Sequence, residues 1–180
     1  HIESLNNLGM AYGKLGRYND VIQVCEQAIK IQPDYSKAYN NLAIAYDQLG
    51  RYQDALEAYK KAIAIEPDND RMYFNLGATY GELGRVQEEI DAYKKAIRLE
   101  PTLAEAYYTL GLAYGKLGRY KEAIKAYEQA IKIKPAWADP YYNLGVAYLS
   151  AGNKNAAVKQ YEILKTLDNN LANKLVNLIK

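Results

Sequence analysis

A period of 34 residues runs through this chain and limits what it can fold into. The stretch LGRYQDALEAYKKAIAIEP, residues 49–67, returns as LGRYKEAIKAYEQAIKIKP, residues 117–135, two periods later. Tyr12, Tyr46, Tyr80, Tyr114 and Tyr148 keep the same step. So do Gly16, Gly50, Gly84, Gly118 and Gly152, and Pro33, Pro67, Pro101 and Pro135. Self-similarity at this period marks a repeat architecture, in which each unit buries its apolar face only by stacking on its neighbours. The spacing predicts five copies, 2–35, 36–69, 70–103, 104–137 and 138–171, and a closing helix over 172–180.

Each copy reads as two helices. In the second copy Tyr39, Leu42, Ala43, Tyr46 and Leu49 recur every three or four residues, one helical face. Gly50 follows at once and reads as a left-handed C-cap. A second stripe, Ala55, Tyr59, Ala62 and Ile63, ends at Pro67, whose ring cannot continue the hydrogen-bond ladder. Asp68, Asn69 and Asp70 then offer caps for the next helix. Glu57 with Lys61, Asp91 with Lys95 and Glu128 with Lys132 are spaced to form i,i+4 pairs, each worth about 0.2–0.5 kcal/mol.

The unit resembles the tetratricopeptide repeat. In the fourth copy the resemblance is carried by Tyr107, Leu110, Gly111, Tyr114, Gly118, Tyr120, Ala123, Tyr127, Ala130 and Pro135, and it extends over residues 2–171. It implies an all-α fold: a right-handed superhelical α-solenoid of antiparallel helix pairs. The first helix of each pair would line a concave groove and the second helices would form the outer face. Small residues such as Gly111 and Ala123 would let paired helices approach closely. The 19 tyrosines, against one Phe and one Trp, would fill the gaps between pairs.

Three departures from the pattern matter. Cys25 stands in the slot of Tyr59, Tyr93, Tyr127 and Tyr161 and reads as a buried filler. Glu89 stands where Ala55, Ala123 and Ala157 stand and is expected to face Gly77. An acid at a close helix contact is costly unless it finds a partner, so Glu89→Ala should raise thermal stability. LANKLVNLIK, from Leu171 to Lys180, places Leu171, Leu175, Leu178 and Ile179 on one stripe over a polar side of Asn173, Lys174 and Asn177, as a closing helix would. The N-terminal end has no such cover, so self-association through it is one expectation.

Residues not needed by the core stripe define the candidate site. One row is Asn7, Asn41, Asn75, Thr109 and Asn143. An asparagine amide can donate to one backbone group and accept from another, so a ladder of them suits an extended peptide. It resembles the asparagine ladder in the repeat domain of the O-linked N-acetylglucosamine transferases, interrupted here by Thr109. The adjacent rows are Asn6, Asn40, Phe74, Tyr108 and Tyr142, and Met10, Ile44, Ala78, Leu112 and Val146. They predict a groove polar at its N-terminal end and apolar-aromatic at its C-terminal end. A charged row, Glu3, Lys37, Arg71, Glu105 and Asp139, would orient a charged peptide. The candidate peptide-binding residues are therefore Asn7, Asn41, Asn75, Asn143, Asn40, Ile44, Phe74, Tyr108, Leu112, Tyr142, Lys37 and Arg71.

Other functions find little support. The chain has one Cys and one His, so catalytic triads and zinc ligand sets lack their parts, and no catalytic residue, metal or cofactor is expected. Net charge is +2, and the basic residues are scattered, which argues against nucleic acid. No apolar run approaches the ~20 residues of a membrane span, so no membrane insertion is expected. The expected function is a non-catalytic protein-interaction scaffold that binds a peptide or partner segment in its groove. The alternatives are a substrate-presenting region of a larger glycosyltransferase-like enzyme and a self-assembling structural module.

Overall fold

The computed structural model describes residues 2–180, and the regular structure among them is entirely helical. His1, the sole histidine, lies outside the described residues. The helices are α1 (Ile2–Lys14), α2 (Tyr18–Ile31), α3 (Ser36–Gln48), α4 (Tyr52–Ile65), α5 (Asp70–Glu82), α6 (Val86–Leu99), α7 (Ala104–Lys116), α8 (Tyr120–Ile133), α9 (Ala138–Ser150), α10 (Lys154–Leu167) and α11 (Asn169–Ile179). They form two compact units, one ending at Leu99 and one beginning at Glu100. Odd- and even-numbered helices pair through three-residue turns, which are too short for anything but antiparallel neighbours.

The turn inside each pair is one motif made five times. Gly16, Gly50, Gly84, Gly118 and Gly152 all have φ between 68° and 78°. Their left-handed backbone lets the next residue's N–H reach back to the tyrosine carbonyl: Arg17 to Tyr12 at 3.0 Å, Arg51 to Tyr46 at 2.8 Å, Arg85 to Tyr80 at 2.9 Å. This is a Schellman closure, which satisfies helix-end carbonyls that would otherwise have no partner. The arginine side chain then has two tasks. Its guanidinium lies 4.5, 4.3 and 4.8 Å from the ring centres of Tyr12, Tyr46 and Tyr80. It also pairs three residues on with Asp20, Asp54 or Glu88. In the last pair Asn153 takes the arginine's place and caps α10 directly, accepting from Ala156 N at 3.1 Å.

The core of the first unit gathers Val21, Ile22, Cys25, Leu42, Ala43, Leu56, Tyr59 and Leu76. In the second unit Tyr141 and Leu164 pack with Ala172 and Leu175 of α11. The closing stripe differs from its sequence reading: Leu178 is 55% exposed, and Ala172 packs in the buried face beside Leu175. A glycine admits a large side chain at three contacts. A Cβ on Gly77 would lie 2.7 Å from the Tyr93 ring, on Gly111 2.5 Å from Tyr127, and on Gly145 2.5 Å from Leu175.

Two sequence expectations are corrected here. Glu89 faces Gly81, not Gly77: its carboxyl carbon would be 3.0 Å from a Cβ on Gly81, and the Gly77 space is filled by Tyr93. The reason is helical phase. Glu89 sits one turn before Tyr93, so in an antiparallel pair it meets the glycine one turn later. The i,i+4 ion pairs are replaced as well. Glu57 bonds Lys60 at 3.0 Å. Lys61 and Lys95 lie over the rings of Tyr39 and Tyr73, at 5.7 and 5.5 Å. Glu128 accepts from the Tyr148 hydroxyl at 2.9 Å. An aromatic face on the partner helix holds a lysine head as well as an exposed carboxylate does.

Candidate protein-interaction surfaces

In the first unit α1, α3 and α5 stand side by side, each touching the next. Their shared face carries the residues that the core leaves out. Met10 is 48% and Ile44 36% exposed, Lys37 and Arg71 are exposed, and Asn7 is exposed beside them. Asn40 and Asn41 are half-buried. The Asn41 side-chain amide donates to the Asn6 side-chain oxygen Oδ1 at 2.8 Å. That bond crosses from α3 to α1, so the ladder residue is tied to the preceding first helix through its nitrogen. Its own carbonyl oxygen remains as an acceptor. Phe74 is half-buried and packs on Tyr93, ring centres 5.6 Å apart, so part of its surface belongs to the core.

Between α3 and α5 the face opens into a cavity of about 390 Å³, lined by Ile44, Asp47, Gln48, Tyr52, Tyr59, Asn75, Ala78, Thr79 and Glu82. It joins one member of the asparagine row, Asn75, to two of the apolar row, Ile44 and Ala78. Asp47 and Thr79 are residues the sequence rows did not bring together. The Thr79 hydroxyl lies 3.0 and 3.1 Å from the two Asp47 carboxylate oxygens and 3.0 Å from the Asn75 carbonyl oxygen. Burial pushes the Asp47 carboxyl above the ordinary aspartate range, and the charge of Glu82 adds to it; bonds from Thr79 and Tyr59 act the other way. Burial, and then the Asp47 charge, hold the Tyr59 phenol well above its usual range. A visible signal existed. Asp47 stands where Gly13, Gly81 and Gly115 stand, and Thr79 where Ala11, Ala45, Ala113 and Ala147 stand.

The corresponding face of the second unit is built by α7 and α9 and is aromatic. Tyr108 packs on Trp137 with ring centres 4.6 Å apart and on Tyr127 at 6.0 Å. Asn143 donates to the Tyr108 hydroxyl at 3.1 Å and to the Asp139 carbonyl at 3.2 Å. This is the same bridge as Asn41 to Asn6, a ladder asparagine reaching a residue 35 earlier. Leu112 and Tyr142 are half-buried on the same helices. Thr109 turns its hydroxyl back to the Glu105 carbonyl of its own helix at 2.9 Å, so it takes no part in the bridge. Glu105 pairs with Lys134, and Asp139 accepts from the Trp137 indole at 2.9 Å.

Among the described residues no three His, Cys, Asp or Glu side chains are grouped as a metal site requires. No helix among them is long and apolar enough to cross a membrane. Cys25 is 3% exposed, and burial pushes its thiol up to about 12.

Paired helices closed by a repeated glycine turn define a helical-repeat solenoid, and comparisons with known proteins give the same class. The TPR repeat model matches residues 45–84, 82–118 and 116–152, and tetratricopeptide repeat models match 2–35, 24–57 and 138–170. The chain belongs to the tetratricopeptide repeat family, whose fold serves as a protein-interaction scaffold. Among solved structures, one of MamA is 30% identical, with 89% of this chain and 88% of that one covered and a TM-score of 0.84. A MamA segment from Desulfovibrio magneticus RS-1 is 18% identical over 93% and 94% of the chains, with a TM-score of 0.86. YrrB, described as a TPR protein with an unusual peptide-binding site, is 19% identical over 96% and 90%, with a TM-score of 0.84. The last two likenesses concern the fold alone. The search of curated proteins finds no match.

Proposed function

We propose that this chain is a non-catalytic interaction module that holds an extended peptide segment of a partner protein on the faces of its first helices. The observation that carries this reading is the cavity between α3 and α5. There Asn75, Ile44 and Ala78, from two different sequence rows, converge on one walled opening rather than on the core. A peptide lying along α1, α3 and α5 would place its backbone against the Asn41 and Asn75 amides and its side chains against Met10, Ile44 and the cavity. On the second unit the Tyr108, Leu112 and Tyr142 face would take apolar side chains. A net hydrogen bond supplies only about 0.5–1.5 kcal/mol. Several such contacts, less the cost of ordering the peptide, correspond to roughly micromolar affinity.

The test is a selection of random twelve-residue peptides on the full chain, followed by titration of the enriched peptides. Binding should weaken about tenfold in a chain with Ala at Asn7, Asn41, Asn75 and Asn143, the loss of one to two hydrogen bonds. Enriched peptides that bind this variant as they bind the parent would overturn the ladder as the binding element.

A further inference from the structure

We infer that the cavity between α3 and α5 is a subsite for one basic side chain, lysine or arginine, of the bound segment. The inference rests on the peptide-binding reading above and names what that site selects.

Its walls match such a side chain from stem to head. Ile44 and Ala78 supply apolar surface for the methylene stem, and Tyr52 supplies an aromatic ring. Asp47 and Glu82 supply charge at the cavity wall, and they are near enough for Glu82 to raise the Asp47 pKa. Neither acid is neutralised within the fold: among the described residues no Lys or Arg pairs with Asp47 or Glu82. The acids that serve structure in this unit behave differently, since Asp20, Asp54 and Glu88 each hold an arginine at 2.6 or 2.7 Å.

Asp47 is also aimed. Two carboxylate oxygens offer about four acceptor positions. Thr79 has a single hydroxyl proton, shared between Asp47 and the Asn75 carbonyl. With one further bond from the Tyr59 phenol, Asp47 keeps acceptor capacity that a guanidinium or ammonium can use. The fold does not require this arrangement. At the position of Asp47 other copies carry Gly13, Gly81 and Gly115, and at the position of Thr79 they carry Ala11, Ala45, Ala113 and Ala147. A metal ion is the poorer occupant, because no third ligating side chain joins the two acids.

The probe is N-acetyl-arginine methylamide, titrated into the isotopically labelled full chain with its uncharged citrulline counterpart as control. Backbone signals of Asp47, Thr79 and Glu82 should shift with the arginine compound, about tenfold more tightly than with citrulline. The shifts should be lost in Asp47→Asn and reduced in Glu82→Gln. Both variants are isosteric, and a thermal melt establishes that each is folded. Equal shifts with both compounds, or no shift with either, would overturn the subsite. The selected peptides separate the two readings. Peptides that bind the α1–α3–α5 face without a recurring Lys or Arg, and that bind Asp47→Asn unchanged, would sink the subsite and leave the interaction face standing. An arginine response at the cavity with no peptide binding to the face would do the reverse.

Discussion

The side-chain amide N–H of Asn41 in α3 donates to the side-chain oxygen Oδ1 of Asn6 in α1 across 2.8 Å. Asn143 makes the equivalent bridge to the Tyr108 hydroxyl in the second unit. Asn41 and Asn143 are therefore wired into the stack before any peptide arrives, and each of these two turns its nitrogen inward. Asn41→Ala should cost about 0.5–1.5 kcal/mol of stability through the lost bond, read by urea denaturation of the parent and the variant. A stability equal to the parent would mean that the bridge is not maintained in solution.

Glycines on the helix faces have opposite roles, and substitution tells them apart. Gly111→Ala would drive a Cβ to 2.5 Å from the Tyr127 ring and should destabilise by about 1–3 kcal/mol. Gly115→Ala, four residues on in the same helix, meets open space and should stabilise by up to about 1 kcal/mol through helix propensity. Melting temperatures should move in opposite directions.

Glu89 and Gly81 should be coupled. Glu89 is only 4% exposed, and its carboxylate occupies the space a side chain at position 81 would need. Gly81→Ala should destabilise the parent. It should be neutral or stabilising once Glu89→Ala has made room, as at the equivalent Gly115, where a Cβ would meet nothing within 4 Å. A double-mutant cycle reads this as a coupling energy of about 0.5–3 kcal/mol. Additive effects would contradict the placement. Glu89 is buried but not without an interaction partner, so Glu89→Ala alone removes a bond together with the buried charge, and the gain in stability expected from sequence does not follow.

Cys25 gives a pH prediction. Its thiol is pushed up to about 12 by burial, with a smaller contribution from Glu26. A folded-state pKa above the unfolded value of about 8.5 means the unfolded chain releases its proton first. Stability should fall as pH rises above that unfolded value. At pH 8 a disulfide reagent should label Cys25 only as fast as the chain opens. Rapid labelling of the native chain would show that the site is open.

The repeat, the helix pairing and the glycine turns were legible because each rests on one residue type at one spacing. Gly50 needs its left-handed backbone whatever surrounds it. Relations between different residue types were harder to read. The Arg51 stack on Tyr46 and the Lys61 placement over Tyr39 depend on which helix faces which ring, and the i,i+4 rule pointed Lys61 to Glu57 instead. Asp47 and Thr79 are 32 residues apart, off the repeat period, so reading down single columns separated them. Leu178 fitted the apolar stripe of α11, but Ala172 was the residue close enough to the α9–α10 pair to be buried. In each case the partner across the helix contact decided the outcome, and the periodicity of one helix does not specify it.

The central claim is that partner segments bind the first-helix face, and one titration tests it most directly. A fluorescent peptide from the selection would be titrated into the parent chain, into Ile44→Asp on the α3 face, and into Gln53→Asp on the exposed surface of α4. The account predicts that Ile44→Asp weakens binding by about tenfold or more, the effect of placing a charge in an apolar contact, while Gln53→Asp binds as the parent does. Undiminished binding by Ile44→Asp together with loss in Gln53→Asp would place the partner on the second helices and contradict the account.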